Sequence, residues 1–533
     1  MSSIHNPILR GFNPDPSIIR VGADYYIATS TFEWFPGVQI HHSTDLVHWE
    51  LIAHPLNRLS QLDMRGNPDS CGVWAPCLSY DQGIFYLVYT NVRSFDGLWK
   101  DTPNFIVYTE DIRGDWSEPI FLNSSGFDPS LFHDTNGRKW ICNMLVDHRR
   151  GKFFGGIVLQ ELDWEKKQMI GPVYPIFPGS DLGITEAPHL YQRNGYYYLL
   201  TAEGGTEYAH AVSLARSKSI TGPYEIHPDN PVMTTIDDEL AILQKTGHGD
   251  LVESPEGDWY LVFLTGRPLT QRGRCVLGRE TAIETVEWRD DDWLYLKSGQ
   301  KTARVVVPLT YEKEATPPGT TKGRDDFDRE TLDLHFQSLR VPITEDWLSL
   351  KVRPGYLRLV GRESLSSFHH QSLIARRLQA FRARASTCIA FQPRSFQQMA
   401  GLVCYYNTAH FYYLHLMGKD ETPATCLQII SCDNFKMTEV LEEAIDLPYG
   451  QNVMLRAEIN RGALQFYYAI VEEEWCSVGP VLDLSILSDD YVQNGSDRYR
   501  PAFTGCFVGL CCQDLSGRKI VADFDWWEYE EIP

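Results

Sequence analysis

Asp15-Pro16-Ser17, Asp128-Pro129-Ser130 and Glu186-Ala187-Pro188 are variants of one motif. Each opens a strand-like run, and each carries a carboxylate at or close to a proline. Two acids on one rigid frame are the minimum for acid–base hydrolysis of a glycosidic bond, one protonating the leaving oxygen and the other activating water. Three gathered together cannot all ionise without cost. Proximity raises at least one pKa, which keeps a protonated acid beside an ionised base, and the third carboxylate sets their geometry. A single Asp-Pro is an ordinary strand-opening turn. Three acids at matching repeat positions point instead to an active site. Residue type alone leaves open which acid takes which part.

The frame that must position them is also written in the repetition. Starts at Asp15-Pro16, Ala75-Pro76, Asp128-Pro129, Ala187-Pro188 and, in relaxed form, Gly249-Asp250 recur at steps of 60, 53, 59 and 62 residues. Each leads into an apolar run, then a turn containing glycine (Gly22, Gly83, Gly137, Gly195, Gly257), then an aromatic strand such as Phe85–Tyr89 or Trp259–Phe263. Strand, glycine turn and aromatic strand make a hairpin signature. Five copies predict five stacked β-units, and radial closure into a propeller disposes of their exposed edges. If each start is an innermost strand, Asp15, Asp128 and Glu186 converge on one face from the first, third and fourth blades. Trp74 then holds the second-blade position equivalent to Glu186.

The repeat ends near residue 308. A stretch rich in Pro, Gly and Thr follows and reads as a linker over 309–325. From 326 to 533 short alternating segments such as Tyr356–Val360 and Phe524–Tyr529 return without the repeat, which predicts a β-sandwich. The expected fold class is therefore all-β: a five-bladed β-propeller over 1–308 followed by a C-terminal β-sandwich.

Composition narrows the partners. A net charge of −22 argues against nucleic acid and against an anionic membrane surface. It leaves a neutral, sugar-like ligand open. The 27 Tyr, 25 Phe and 14 Trp suit β-structure, and they equally suit stacking on sugar rings. No apolar run reaches the roughly 18 residues of a membrane span. No basic segment followed by an apolar core follows Met1, and the 12 scattered cysteines show no CxxC spacing. Together these features read as reduced thiols in a cytoplasmic protein.

The segments Asn13-Pro14-Asp15-Pro16-Ser17, Ser125-Gly126-Phe127-Asp128-Pro129-Ser130 and Thr185-Glu186-Ala187-Pro188-His189 resemble the β-xylosidases of glycoside hydrolase family 43, and the resemblance runs through the sandwich. It implies an exo-acting, inverting enzyme that releases xylose from the non-reducing end of β-1,4-xylo-oligosaccharides, with side α-L-arabinofuranosidase activity. By the same resemblance Asp15 is the general base, Glu186 the general acid, and Asp128 the residue that tunes and orients the acid. Arg279 matches an arginine that binds sugar hydroxyls, with a surface or inter-blade salt bridge as the structural alternative. Trp74 and Phe32 match the aromatic pocket wall, although both residue types commonly fill cores. Phe507 matches a phenylalanine lent by the sandwich, with Phe503 as the alternative.

His248, which starts the fifth repeat, matches a histidine at the propeller axis close to water or a divalent cation such as calcium. A lone histidine is a weak metal signal, and a structural or substrate-contacting role is the better expectation. No cofactor is otherwise implied. A homo-oligomer, a tetramer by resemblance, is expected. The competing readings are a predominant arabinofuranosidase, a retaining fructoside hydrolase, and a non-catalytic sugar-binding propeller. The second lacks the Glu-Cys pair expected near its acid, and the third has no need of a protonated carboxyl opposite an ionised one.

Overall fold

The computed structural model describes residues 3–94, 97–151, 153–309, 322–419, 422–472, 474–494 and 500–532. Most of the expected linker, 310–321, lies outside the described residues.

The first compact unit is the propeller. Its five antiparallel sheets begin with the inner strands Ser17–Val21, Cys77–Asp81, Ser130–His133, Glu186–Arg193 and Gln244–Glu253. Each inner strand pairs with an aromatic second strand: Asp24–Thr29, Ile84–Val92, Lys139–Val146, Tyr196–Glu203 and Trp259–Gly266. The tight turns between them need a left-handed residue. Gly83 at φ 86 and Gly195 at φ 73, each preceded by a residue also in the left-handed region, supply it at low cost. The inner strands touch in sequence around a ring, and the fifth returns to the first.

Aromatic and branched side chains fill the spaces between blades. Tyr86, Val88, Leu131 and Ile141 join the second blade to the third. Tyr198, Leu200, Leu261 and Phe263 join the fourth to the fifth. The ring closes on the chain's own beginning. Ser3–His5 pairs with Val306–Pro308, Leu9 bridges to Thr281, and the Asn6 side chain donates to the carbonyls of Ile283 and Arg304.

The second compact unit contains two antiparallel sheets of eight and nine strands, the β-sandwich. Its strands include Leu357–Val360 and Val521–Glu531, where alternation predicted them. Two short pieces of the expected propeller span, Trp34–Pro36 and Gly273–Gly278, belong to this unit. Trp34 and Phe35 pair with Leu339 and Ser338 at the edge of the nine-stranded sheet, and the Cys275 N–H donates to Asp490. No helix among the described residues is long and apolar enough to cross a membrane.

Candidate active site

Four of the five blades hold a non-glycine residue in the left-handed region on or just before the inner strand. Asp15 (φ 55) and Asp128 (φ 53) each directly precede the proline. In the fourth blade that position is held by Ala187 (φ 51), and Glu186 stands one residue upstream. The three acids are therefore not at strictly equivalent positions: Asp15 and Asp128 match each other, and Glu186 is offset by one. The strand pairing accommodates the offset locally. The pairing of Glu186 with Ala202 and of His189 with Leu200 leaves a register shift between them, a bulge that re-aims the side chain ahead of it. In the fifth blade His248 (φ 49) lies within the register shift between Gly247 and Gly249. Such backbone costs of order 1–3 kcal/mol per residue and persists where the surroundings over-determine it.

Asp15 sits among donors. It is buried, and its carboxylate accepts a hydrogen bond from Ser30 Oγ at 2.6 Å and another from Arg279 Nη1 at 3.3 Å. His248 Nδ1 lies 3.5 Å from the same oxygen that Arg279 reaches. Ring closure brings this group together. The Asn13 N–H donates to the Arg279 carbonyl, and Thr281 Oγ1 donates to the Asn13 carbonyl, so the chain's beginning and the fifth blade are laced where Asp15 and Arg279 meet. Arg279 Nη1 also donates to Thr206 Oγ1 at 2.9 Å, and its guanidinium lies 5.3 Å from the Phe32 ring centre. The buried ion pair with Asp15 is thus present, as the structural alternative for Arg279 requires. It lies at the inner-strand starts rather than on the surface.

Glu186 and Asp128 form the opposite environment. Burial, then the charge of Asp15, push the Glu186 pKa up to about 8, with Arg279 opposing. Glu186 is half-buried, whereas Asp15 and Asp128 are buried. Asp128 is raised well above the usual carboxylate range by burial, then by Glu186, then by Asp15. Its Oδ2 accepts the Ala187 N–H at 3.2 Å, so the third acid grips the backbone beside Glu186. Burial pushes the His248 imidazole down to about 4, which keeps it neutral near pH 7.

The expected aromatic wall is continuous in the first unit. The Phe32 and Trp74 ring centres lie 6.2 Å apart, and Trp74 meets Phe127 edge-on at 4.9 Å. The indole N–H of Trp74 donates to the Ser70 carbonyl, which fixes the ring plane. Phe507 belongs to the second unit. It is fully buried there, and its ring stacks on Trp34 at 3.8 Å with 14° between the planes.

Among the described residues no three His, Cys, Asp or Glu side chains converge as a metal-binding set. Around His248 stand Asp15, already engaged by Arg279, and Asp250, whose oxygens accept from Ser17, Ile18, Tyr191 and Leu251. These donors do not fit a calcium site, and no step is assigned to a metal.

Sequence reasoning missed Ser30, Thr206 and Phe127. Phe127 carried a signal, its adjacency to Asp128. Ser30 and Thr206 lie in connections after second strands, outside the repeat, and nothing local marks them.

A five-bladed propeller that sets a donor-surrounded carboxylate against a proton-holding pair has the equipment of a glycoside hydrolase. The chain belongs to glycosyl hydrolases family 43, whose profile matches residues 4–294, and the β-xylosidase C-terminal concanavalin A-like domain matches residues 324–530. It is 50% identical to a β-xylosidase of Bacillus subtilis, with 99% of each chain covered. It is 52% identical to the xylosidase/arabinosidase 43B of Humicola insolens over 100% of this chain and 98% of that one. The crystal structure of a xylan β-1,4-xylosidase from Bacillus halodurans matches with a TM-score of 0.94 at 50% identity, covering 99% of this chain and 100% of that chain.

Proposed function

We propose that this protein is an exo-acting, inverting β-1,4-xylosidase that releases xylose from the non-reducing end of xylo-oligosaccharides, with a side α-L-arabinofuranosidase activity. One observation carries the mechanism: Asp15 is surrounded by donors, whereas Glu186 is held as a protonated acid near neutral pH. Water placed at Asp15 loses a proton to that carboxylate as its oxygen attacks the anomeric carbon. The glycosidic C–O bond breaks, and its oxygen takes the proton of Glu186. Asp128 supports the acid through its bond to the Ala187 N–H. A single displacement of this kind inverts the anomeric centre.

The substrate class rests on the β-xylosidase relatives, and the side activity on the relative named xylosidase/arabinosidase. Twelve cysteines without a disulfide suit a reducing compartment, and we place the enzyme in the cytoplasm. Proton NMR of xylobiose hydrolysis tests the proposal. α-Xylose is expected as the first-formed anomer. Exclusive β-xylose would overturn the single-displacement roles, and turnover of an arabinofuranoside without cleavage of xylobiose would make the side activity the main one.

A further inference from the structure

Glu203 closes the second strand of the fourth blade and is fully buried. Among the described residues no Lys, Arg or His lies within salt-bridge distance of it. Its charge is instead met by four donors. Oε1 accepts from the Ser180 N–H and from Thr185 Oγ1, both at 2.7 Å. Oε2 accepts from Ser180 Oγ at 2.5 Å and from Ser213 Oγ at 2.6 Å. Two of these hydroxyls are oriented from behind, since Ser180 Oγ accepts the Leu182 N–H and Ser213 Oγ accepts from Asn230 Nδ2. Their own protons are thereby turned toward Glu203, and the capacity of an ionised carboxylate is filled.

The position of these donors along the chain gives the arrangement a purpose. Ser180 and Thr185 bracket the connection that delivers Glu186, and Thr185 is its immediate neighbour. Glu186 pairs with Ala202, the residue before Glu203. The Gly204 N–H donates to the Gly183 carbonyl from the same strand end. Gly179 has φ +93, and a Cβ there would lie 2.0 Å from Thr185 Oγ1, so the connection is pressed against the clamp. A buried charge without a counter-ion is expensive unless fully hydrogen-bonded. Here it is fully bonded, and what it bonds is the segment that carries the acid.

We infer that Glu203 is a positioning residue for proton donation: it clamps the 180–185 connection so that Glu186 meets the leaving-group oxygen. The inference rests on the reading of Glu186 as general acid. Its signature is dependence on the leaving group, because a good leaving group needs little protonation. Glu203→Gln preserves size and misplaces a donor. Thr185→Val removes one bond to Oε1 without touching the buried charge, and it decides the matter if the first variant melts early.

Both variants are assayed on xylobiose and on 2,4-dinitrophenyl β-xyloside. For Glu203→Gln, kcat on xylobiose is expected to fall about 30-fold with KM nearly unchanged, the scale of a misplaced catalytic group. The activated xyloside is expected to lose under about 3-fold. Thr185→Val should show the same pattern at smaller size. In a Glu186→Ala background Glu203→Gln should add nothing. Equal loss on both substrates, no loss, or full additivity would overturn the inference. If Glu186→Ala itself slows both substrates alike, the acid reading fails instead, and that result is separable because it does not involve Glu203.

Discussion

At the start of the first blade Asp15 meets a hydroxyl, a guanidinium and an imidazole, whereas at the start of the fourth Glu186 meets the charge of Asp15 and lies beside the buried Asp128. Both carboxylates occupy inner-strand starts of one repeated unit. Their chemistry diverges through neighbours brought from other blades. Arg279 reaches Asp15 from the fifth blade, and Asp128 reaches the backbone after Glu186 from the third. A repeat supplies positions, and the non-repeating contacts surround one with donors while the other is held protonated near neutral pH.

Variants at the two starts break or sharpen this contrast. Asp15→Ala should show the largest effect, a kcat loss of about 10,000-fold on xylobiose and on activated xylosides alike, because water activation is needed for both. Glu186→Ala should cost about 1,000-fold on xylobiose and far less on 2,4-dinitrophenyl β-xyloside. Reversed leaving-group behaviour in these steady-state assays would exchange the two roles.

Asp128→Asn should lower kcat about 100-fold and leave the basic limb of the pH profile in place. The sign follows from Glu186, a carboxyl raised to about 8. It is protonated and competent below that value, so kcat/KM should fall as pH rises through about 8. Asp128 itself is held protonated, so its replacement disturbs the bond to the Ala187 N–H rather than removing a charge, and this basic limb should stay in place. A limb that moves to lower pH would show instead that Asp128 is ionised beside the acid. The smallest effect is expected for Thr206→Val, which removes a partner of Arg279 while leaving the ion pair to Asp15. kcat/KM should fall about 3-fold, the worth of one modest hydrogen bond.

Much of the architecture was legible along the chain because it is repetitive and local. Glycine turns and aromatic second strands recur near every 60 residues, and each hairpin forms from neighbours in sequence. The same logic exposed Asp15, Asp128, Glu186, Trp74 and His248 as inner-strand starts. It was blind to the bulge after Glu186, since a bulge arises from how two strands pair and leaves no mark on the spacing. It also assigned Trp34–Pro36 and Gly273–Gly278 to the propeller, because proximity in sequence says nothing of the nine-stranded sheet that Trp34 and Phe35 join 300 residues away.

The sequence by itself determined five hairpin units, a change of pattern after residue 308, and a short set of acids on matching strands. Those properties come from period and turn chemistry, which act over a few residues. Only the tertiary structure decided which acid is surrounded by donors and which holds a proton. That choice depends on burial and on charges from residues such as Arg279, Thr206 and Ser30, and electrostatic fields follow distance in space rather than distance along the chain.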